Sequence, residues 1–321
     1  MKSMVKTQLT VQQLKLLPRM LLMQAAGKLG LGQLFLRRMM RSMQSPKQKS
    51  EAFAGYQPTQ HDVFVCTYAK SGTNWALQIA QQIACYGEAE FDYIHDLIPW
   101  PDMRTPVPVI DLRDPRPQQQ SPTGLRVIKT HLGSAYVPYN QQAKYVVVIR
   151  DPKDVFVSSY YFGKGIINLY GVHFTPEEWL AGFTSNDFFF DSWAAHTASF
   201  WPWRERDNVL ILTFAEMKQD LPAAIWRIAT LMGVRLTDAQ LAKVGEKASF
   251  QYMKSIDEKF APPLPTLGGR KARPVMMRSG KSGASGELIN AQQQAVIDQF
   301  CQAELKRFGS DFPYRRMFGG S

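Results

Sequence analysis

Residues 62–75 read DVFVCTYAKSGTNW, and this stretch decides the fold. Residues 62–67 form an apolar, β-branched run typical of a buried strand, and residues 74–87 have the pattern of a helix. The turn between them carries Lys70 and Gly72. A turn that leads from a strand into a helix favours a bound anion, because it presents backbone N–H groups and the positive end of the helix dipole. The stretch therefore predicts a phosphate-binding strand–turn–helix unit.

The rest of the chain repeats the alternation of strand and helix. Three further apolar runs are predicted to be strands: LRVIKT (125–130), KYVVVI (144–149) and NVLILTF (208–214). Helices are predicted between and after them at 152–163, 176–183 and 190–206. Near-continuous hydrophobic strands separated by helices are typical of a parallel sheet that is covered on both faces. We therefore predict an α/β fold, a three-layer sandwich with a central parallel sheet of the P-loop-like nucleotide-binding kind, with ligands at the carboxyl ends of the strands.

Three segments show neither helix nor strand periodicity. Residues 101–123 contain six prolines, and residues 261–286 contain four prolines and five glycines. Long irregular segments inside a domain are often binding loops or lids. The stretch 45–60, SPKQKSEAFAGYQPTQ, is predicted from its composition to be a linker.

The positive charge of the chain is concentrated at its N-terminus. The 321 residues carry a formal net charge of +11, and residues 1–50 hold ten Lys and Arg side chains but no Asp or Glu. Residues 1–45 predict one or two basic amphipathic helices, which either contact a membrane surface or pack on the domain with a solvated basic face. The rest of the chain is nearly neutral, so we expect no nucleic-acid partner. We predict an N-terminal helical extension, 1–50, and one catalytic domain, 51–321.

Cysteine usage and hydropathy indicate a cytoplasmic protein. Cys66, Cys85 and Cys301 are odd in number and widely spaced, so neither a disulfide framework nor a zinc site is predicted. Lys28 interrupts the most apolar part of the N-terminus, so no membrane span is expected there. Basic residues recur throughout that part, which fits a secretory signal peptide poorly. Membrane association through residues 1–45 stays open.

Two further segments have the residue types of anion sites. KYVVVI leads into Arg150, which can form bidentate hydrogen bonds with a phosphate, and Ser158 follows two helical turns later. The segment 278–283, RSGKSG, combines glycines with two cationic side chains. Taken singly, Arg150 and Asp151 could be a surface ion pair, and 278–283 could be a solvated loop. Three candidate anion sites in one chain favour a polyanionic ligand such as a nucleotide.

In their order and spacing these segments resemble the cytosolic-type sulfotransferases, which use 3′-phosphoadenosine 5′-phosphosulfate (PAPS). Residues 67–75 are similar to the family's 5′-phosphosulfate loop, 150–158 to its 3′-phosphate motif, and 278–283 to its RKGxxG loop. A fourth segment, 129–131, reads Lys-Thr-His like the family's catalytic KTH and ends a predicted strand. The resemblance covers residues 55–318 approximately.

The resemblance implies which residues hold the donor. Those that hold the 5′-phosphosulfate would be Lys70, Ser71, Gly72, Thr73 and Asn74, and Trp75 would stack on the adenine. Those that hold the 3′-phosphate would be Arg150, Ser158, Arg278, Ser279 and Gly280. Phe250, with Ser249 beside it, would cover the other face of the base. The product would be 3′-phosphoadenosine 5′-phosphate (PAP), and the family requires no metal.

The resemblance also assigns the chemistry of transfer. His131 would be the base for the acceptor proton, which suits a side chain whose ordinary pKa lies near neutrality. Lys70 and Lys129 would stabilise the charge that develops on the departing phosphate. A buried histidine with a purely structural role is the alternative for His131. We predict in-line transfer of a sulfuryl group to a hydroxyl.

Five positions depart from the family pattern, and two of them, Ala69 for proline and Asn74 for threonine, are tolerable because backbone amides and a polar side chain remain. The other three affect contacts to the nucleotide. Phe214 stands where a base-contacting tyrosine is usual, Ala248 where threonine is usual, and Ser279 where lysine is usual. Each change removes a polar or charged contact to the nucleotide, so weaker cofactor binding is one expectation and compensation by nearby cations is the other. The family's dimerisation segment is also missing, so no oligomeric state is predicted.

The acceptor is predicted only by its class. Residues 188–203 are dense in Phe and Trp, and Trp100 opens the proline-rich segment. These rings could line a pocket for an apolar alcohol or phenol, or they could simply pack in the core. A small-molecule hydroxyl acceptor is preferred, and protein or carbohydrate acceptors stay open.

Two alternative functions stay open at this point. One is a nucleotide-dependent phosphotransferase with an atypical P-loop, although Lys70 precedes Gly72 without the upstream glycine of a Walker A loop. The other is a binding protein that its basic N-terminal extension directs to a membrane or to nucleic acid.

Overall fold

The structure is a computed structural model that describes most of the chain. The described residues are 45–103, 107–168, 173–186, 188, 190–263, 274–278, 280, 283 and 285–319, with the single residues 22, 25, 29, 31, 34, 38 and 41. Apart from those single residues, the predicted helices of residues 1–45 lie outside the described part. The predicted site residue Ser279 lies outside it as well.

The core of the fold is a parallel sheet of four strands. The strands are β1 Asp62–Thr67, β2 Arg126–Thr130, β3 Lys144–Ile149 and β4 Val209–Thr213, in the spatial order β2-β1-β3-β4. All three pairings are parallel, and Cys66 lies opposite Thr130 on one side and Val147 on the other. The carboxyl ends of the strands therefore meet at one edge, which places the turn after β1 beside those after β2 and β3. The predicted parallel sheet is confirmed.

Helices cover both faces of the sheet. They are α1 Pro46–Glu51, α2 Thr73–Ala84, α3 Arg116–Gln120, α4 Pro152–Ile167, α5 Pro176–Phe183, α6 Trp193–Phe200, α7 Phe214–Gln219, α8 Leu221–Met232, α9 Asp238–Lys247, α10 Phe250–Ser255, α11 Ala291–Arg307 and α12 Tyr314–Phe318. Val63 and Val65 of β1 pack in one buried cluster with α2, α8 and α9. Phe64 and Cys66 pack in a second cluster with α4, α6 and α11. Because strand side chains alternate between faces, the two clusters are the two interfaces of the predicted three-layer sandwich.

The starts of α4 and α5 follow from local hydrogen bonding. The Asp151 carboxylate accepts from the Lys153 amide, with Pro152 at the first helical position. Thr175 and Glu178 form a reciprocal capping box, in which each side chain accepts from the other residue's backbone N–H. The amino end of α4 is therefore held directly after β3, beside the turn that follows β1.

Two predictions of irregular structure are wrong in part. The predicted linker 45–60 contains α1, which begins at Pro46 and is followed by Phe53 in the buried core. The proline-rich segment 101–123 contains α3, where Pro117 occupies the first turn and leaves no amide unpaired. Proline is tolerated in the first turn of a helix, so its abundance did not exclude helices here.

Two further sequence predictions concern the chain as a whole. The proposed boundary between residues 50 and 51 falls inside α1, and it stays a prediction. No helix in the described part of the chain is long and apolar enough to cross a membrane.

A buried ion pair joins the amino ends of β1 and β2, at the edge of the sheet away from the turn. Asp62 and Arg126 are register partners, and the Arg126 Nε lies 2.6 Å from the Asp62 carboxylate. The second Asp62 oxygen accepts from the Tyr56 hydroxyl at 2.8 Å and the Thr59 amide at 2.7 Å. Arg126 also donates to the Leu112 carbonyl at 3.0 Å. The pair is therefore fully hydrogen-bonded, as a buried charge requires.

We expect Asp62→Asn to lower the free energy of unfolding by about 3 kcal/mol, because it leaves the buried Arg126 without a counter-charge. Urea denaturation followed by circular dichroism measures this loss. The control is Glu88→Gln, which makes the same chemical change in an exposed pair with Lys243 and should leave the midpoint nearly unchanged. Equal midpoints for the two variants would show that the Asp62 pair does not hold the sheet.

Candidate active site

The turn after β1 has the geometry of an anion-binding loop. Lys70 and Gly72 have positive φ angles of 70° and 99°, and α2 begins at Thr73. A Cβ atom at Gly72 would lie 2.7 Å from the Phe214 ring, so both the backbone angle and the space require glycine. The Thr67 and Thr73 hydroxyls lie 2.6 Å apart, which ties the end of β1 to the start of α2.

Two side chains of this turn are poised for an anion. The Ser71 hydroxyl is buried and has no hydrogen-bond partner in the part of the chain that the structure describes. The Lys70 ammonium lies 4.1 Å from the centroid of the Phe162 ring. Burial, and then the nearby charge of Arg150, lower the pKa of Lys70 to about 8. An anionic oxygen at the turn would accept a hydrogen bond from the Ser71 hydroxyl and would favour the charged form of Lys70. These residues therefore fit a phosphate or sulfate group.

One face of α4 brings a second cation to the turn. Arg150, Asp154, Ser158 and Phe162 follow one another at intervals of four residues, which places them on one side of the helix and its N-terminal extension. Arg150 donates to the Lys70 carbonyl at 3.2 Å, and its guanidinium lies 3.7 Å from the Asp154 carboxylate. Arg150 therefore lies beside the turn as predicted, and the half-buried Ser158 is on the same face.

The described residues of the glycine-rich segment 278–283 lie against the same helix. The Gly283 amide donates to the Asp154 carboxylate at 3.0 Å. Arg278 pairs with Glu287, and its guanidinium lies 4.5 Å from the Tyr161 ring centroid. The charge of Arg278 is near enough to Arg150 to contribute, after burial, to lowering the pKa of Arg150. The structure thus brings Lys70, Arg150 and Arg278 together.

Two aromatic side chains lie near the starts of α2 and α10. The Trp75 indole donates to the Ala248 carbonyl at 2.8 Å and meets the Phe214 ring edge-on at 5.2 Å. Phe250 is 41% exposed, and a Cβ atom at Gly280 would lie 2.7 Å from its ring, so Gly280 packs directly on it. The indole is therefore fixed by a backbone carbonyl, which any residue at position 248 supplies.

The remaining predicted contacts to the nucleotide occupy ordinary helix positions. The Ser249 hydroxyl accepts from the Tyr252 amide at 3.2 Å and caps α10. Thr73 and the half-buried Asn74 lie in the first turn of α2. Trp75 therefore lies in the first turn of α2, and Phe250 is the first residue of α10.

Lys129 is buried at the end of β2 among aromatic and imidazole groups. Its ammonium lies 3.2 Å from the centroid of the Trp100 ring and 3.5 Å from the His95 Nε2. The other ring nitrogen of His95, Nδ1, lies 2.8 Å from the Ile98 carbonyl, so it carries the proton and leaves Nε2 as an acceptor. Burial lowers the pKa of Lys129 to about 7, although the Asp102 carboxylate opposes the shift.

His131 is held in one neutral tautomer. Its Nδ1 lies 2.8 Å from the Thr67 carbonyl, and since a carbonyl only accepts, Nδ1 carries the proton and Nε2 is the free lone pair. The His131 amide donates to the Asp102 carboxylate at 3.0 Å. Burial, followed by the charge of Lys129, holds the pKa of His131 well below its ordinary value. The ring is flanked by Trp100 at 5.3 Å and Phe190 at 5.0 Å.

The predicted site residues in the described part of the chain all lie around this edge of the sheet, but their supporting residues were not predicted. His95 and Asp102 lie in the segment before β2, which has no periodicity to mark them. Phe162 could have been predicted, because it follows Ser158 by one helical turn. Among the described aromatic residues of 188–203, those buried in the core are Phe188, Trp193, Phe200 and Trp203. Phe190 is the half-buried one that contacts His131.

Comparison with known proteins agrees with this geometry. The model of the sulfotransferase domain family matches residues 60–309. Rat (Rattus norvegicus) sulfotransferase 2B1 is 28% identical over 280 residues, which cover 85% of this chain and 79% of that protein. Mouse (Mus musculus) sulfotransferase 2B1 is 31% identical over 271 residues, which cover 82% of this chain and 77% of that protein.

Solved structures share the fold. The crystal structure of retinol dehydratase in a complex with retinol and PAP superposes with a TM-score of 0.65 at 21% identity, covering 84% of this chain and 88% of that one. A match of this kind supports the α/β sandwich. The family model, which spans β1 to the end of α11 and includes the turn, Lys129, His131 and Arg150, shows that the chain belongs to the sulfotransferase domain family.

Proposed function

We propose that this enzyme transfers the sulfuryl group of PAPS to the hydroxyl of an apolar alcohol or phenol. The observation that carries the proposal is the neutral His131, whose Nδ1–H donates to the Thr67 carbonyl and leaves the Nε2 lone pair for the acceptor proton. The half-buried Lys70 and the buried Lys129 lie at the same edge of the sheet. The alternative of a phosphotransferase lacks a comparable observation, and membership in the sulfotransferase family favours sulfuryl transfer.

The described residues suit a donor that carries phosphate groups at both the 3′ and the 5′ positions of its ribose. We assign the 5′-phosphosulfate to Lys70, Ser71, Gly72, Thr73 and Asn74, because the turn offers amides, an unpartnered hydroxyl and a cation. We assign the 3′-phosphate to Arg150, Ser158, Arg278, Gly280 and, outside the described residues, Ser279. The adenine would lie between Trp75 and Phe250, with Ser249 at its edge. Retinol dehydratase, which shares the fold, was crystallised with PAP.

The proposed chemistry divides between a base and two cations. When bound, PAPS supplies the sulfuryl group, and PAP is the product. His131 accepts the acceptor's hydroxyl proton at Nε2, while the proton on Nδ1 stays hydrogen-bonded to the Thr67 carbonyl and keeps the ring in one orientation. Lys70 and Lys129 lie where they stabilise negative charge on the phosphate side, and their burial strengthens that interaction. No residue is assigned to a metal.

The acceptor class follows from the surroundings of His131. Trp100 and Phe190 flank the imidazole, so a hydroxyl that reaches Nε2 passes between aromatic faces. Such faces favour an apolar alcohol or a phenol over a carbohydrate. The retinol bound in the retinol dehydratase crystals is an apolar alcohol of that class. A cytoplasmic location and membrane contact through residues 1–45 stay predictions.

The activity is tested by incubation with a panel of phenols and apolar alcohols and either PAPS or Mg·ATP. Mass spectrometry follows the appearance of sulfate or phosphate esters. We expect sulfate esters with PAPS and none of either product with Mg·ATP. Turnover with Mg·ATP alone would refute the proposal and favour the phosphotransferase.

We expect His131→Ala to lower kcat by about 10²- to 10⁴-fold, the usual loss when a general base is removed. The affinity for PAP, measured by calorimetry, should stay nearly unchanged, because the assigned donor contacts do not include His131. The exposed His173→Ala is the matched control and should keep the parent rate. A His131 variant as active as the parent would exclude this residue as the base.

We expect PAP to bind more weakly as the pH rises from 7 to 9. In the free protein the pKa values of Lys70 and Lys129 are about 8 and 7. An anion favours the protonated ammonium groups, so binding takes up protons, and affinity falls by up to about tenfold per pH unit for each fully coupled lysine. The phosphates of PAP are already ionised throughout this range.

Calorimetry in two buffers of different ionisation enthalpy measures the proton uptake directly. Lys70→Arg keeps the charge across the whole range and should flatten the pH dependence. A parent protein whose PAP affinity is constant between pH 7 and 9 would contradict this assignment of the two lysines.

A further inference from the structure

A buried lysine lies outside the part of the chain that the family model matches. Lys49, in α1, is only 5% exposed, and the match begins at residue 60. Its ammonium lies 2.5 Å from the Asp191 carboxylate and 5.6 Å from the centroid of the Tyr136 ring. A buried ammonium is unfavourable unless it is paired, so the contact with Asp191 is what stabilises Lys49 in its buried position.

Asp191 lies in a strained turn. Asp191 and the preceding Phe190 have φ angles of 68° and 58°, and two successive residues with side chains rarely occupy this left-handed region. The Asp191 carbonyl also accepts from the Tyr68 hydroxyl at 3.2 Å, and Ser192 then caps α6. Strain of this kind persists only where the surrounding contacts hold it, and it is common at binding sites.

The strained turn sets the position of Phe190. Its ring lies 5.0 Å from the His131 ring, on which Trp100 packs at 5.3 Å. Phe190 is half-buried, so one side of it contacts the site and the other reaches solvent. The backbone angle at Phe190 directs the ring toward His131, and a relaxed turn would direct it elsewhere.

We propose that Lys49 and Asp191 form a clamp that holds Phe190 against His131 and thereby sets which acceptors the enzyme accepts. The acceptor role rests on the proposed function, in which His131 Nε2 receives the acceptor proton. Lys49 and Asp191 act through Phe190 and are positioning residues, whereas Phe190 forms the wall that an acceptor contacts. We expect a narrow, flat acceptor to bind against Phe190 while the clamp is closed, and a bulky acceptor to require the clamp to open.

The first test measures the position of Phe190 without using enzyme activity. Diethyl pyrocarbonate modifies neutral imidazoles, and peptide mass spectrometry gives the modification rate of His131 relative to the exposed His173. We expect Lys49→Met to raise that ratio by about tenfold, because Phe190 then leaves the imidazole uncovered for more of the time. Phe190→Ala should raise it at least as much. Lys47→Met, an exposed lysine on the same helix, should not change it.

The second test measures specificity with PAPS at saturation. With 2-naphthol as the narrow acceptor, Lys49→Met should raise the acceptor KM about tenfold and leave the PAPS KM within about twofold of the parent. A steroid alcohol should become a relatively better substrate in the same variant. The double variant Lys49→Met/Asp191→Gly should change the acceptor KM in the same direction as Lys49→Met, because the Lys49–Asp191 contact is lost in both.

The same set of variants also controls for a loss of folding. Lys49→Met leaves Asp191 partly exposed to water, and Asp191→Gly relieves the left-handed strain, so the double variant is expected to fold. A folded Lys49→Met whose His131 labelling equals that of the parent would overturn the clamp. Increased labelling with an unchanged acceptor KM would overturn its role in specificity. Absence of any sulfated product from the parent protein would count against the proposed function instead, while the labelling result would still decide whether the clamp exists.

Discussion

The desolvation of two lysines at one edge of the sheet, the half-buried Lys70 and the buried Lys129, is the constraint on which the rest of the site depends. Lys70 and Lys129 are near enough that the charge of Lys70 contributes to lowering the pKa of Lys129. Desolvation is the larger effect on both. Two desolvated cations of the same sign are unfavourable in an empty site, so the fold holds electrostatic energy that an anionic ligand releases. The neutrality of His131 follows from the same constraint, because the charge of Lys129 also disfavours a charged imidazole.

An aromatic ring lies close to each of the three cations Lys70, Lys129 and Arg150. Phe162, Trp100 and Phe214 lie under Lys70, Lys129 and Arg150 respectively, at 4.1, 3.2 and 4.4 Å from ring centroid to cation. A ring face stabilises a cation without neutralising it, so the positive charge stays available to a ligand. Phe214 keeps the ring of the usual tyrosine and lacks only its hydroxyl. The ring lies against Gly72, Trp75 and Arg150, so the expected loss of one polar contact leaves this aromatic support in place.

The sequence predicted the sheet and the donor-side residues because both are encoded locally. Each strand is a continuous apolar run, and the turn after β1 carries its own glycine, lysine and hydroxyls. Contacts between distant segments were not predicted. Asp102 contacts His131 although the two residues are 29 positions apart in the sequence, and Lys49 contacts Asp191 at a separation of 142 positions. Composition also misled at 45–60, where several of the polar residues that suggest a linker are good helix formers, and Phe53, just after α1, packs in the core.

The two halves of the site differ in how strongly the fold determines them. The donor contacts that we propose come from strand ends and helix starts, which the parallel sheet places together whatever the surrounding loops do. The acceptor side of His131 is formed by Trp100 and Phe190, and Phe190 is held by a turn whose ion pair reaches outside the matched family domain. A change in α1 or in the turn at Asp191 can therefore alter the acceptor without disturbing the sheet, the turn after β1 or the base. Specificity for the acceptor can then vary among chains of this fold while the donor site is retained.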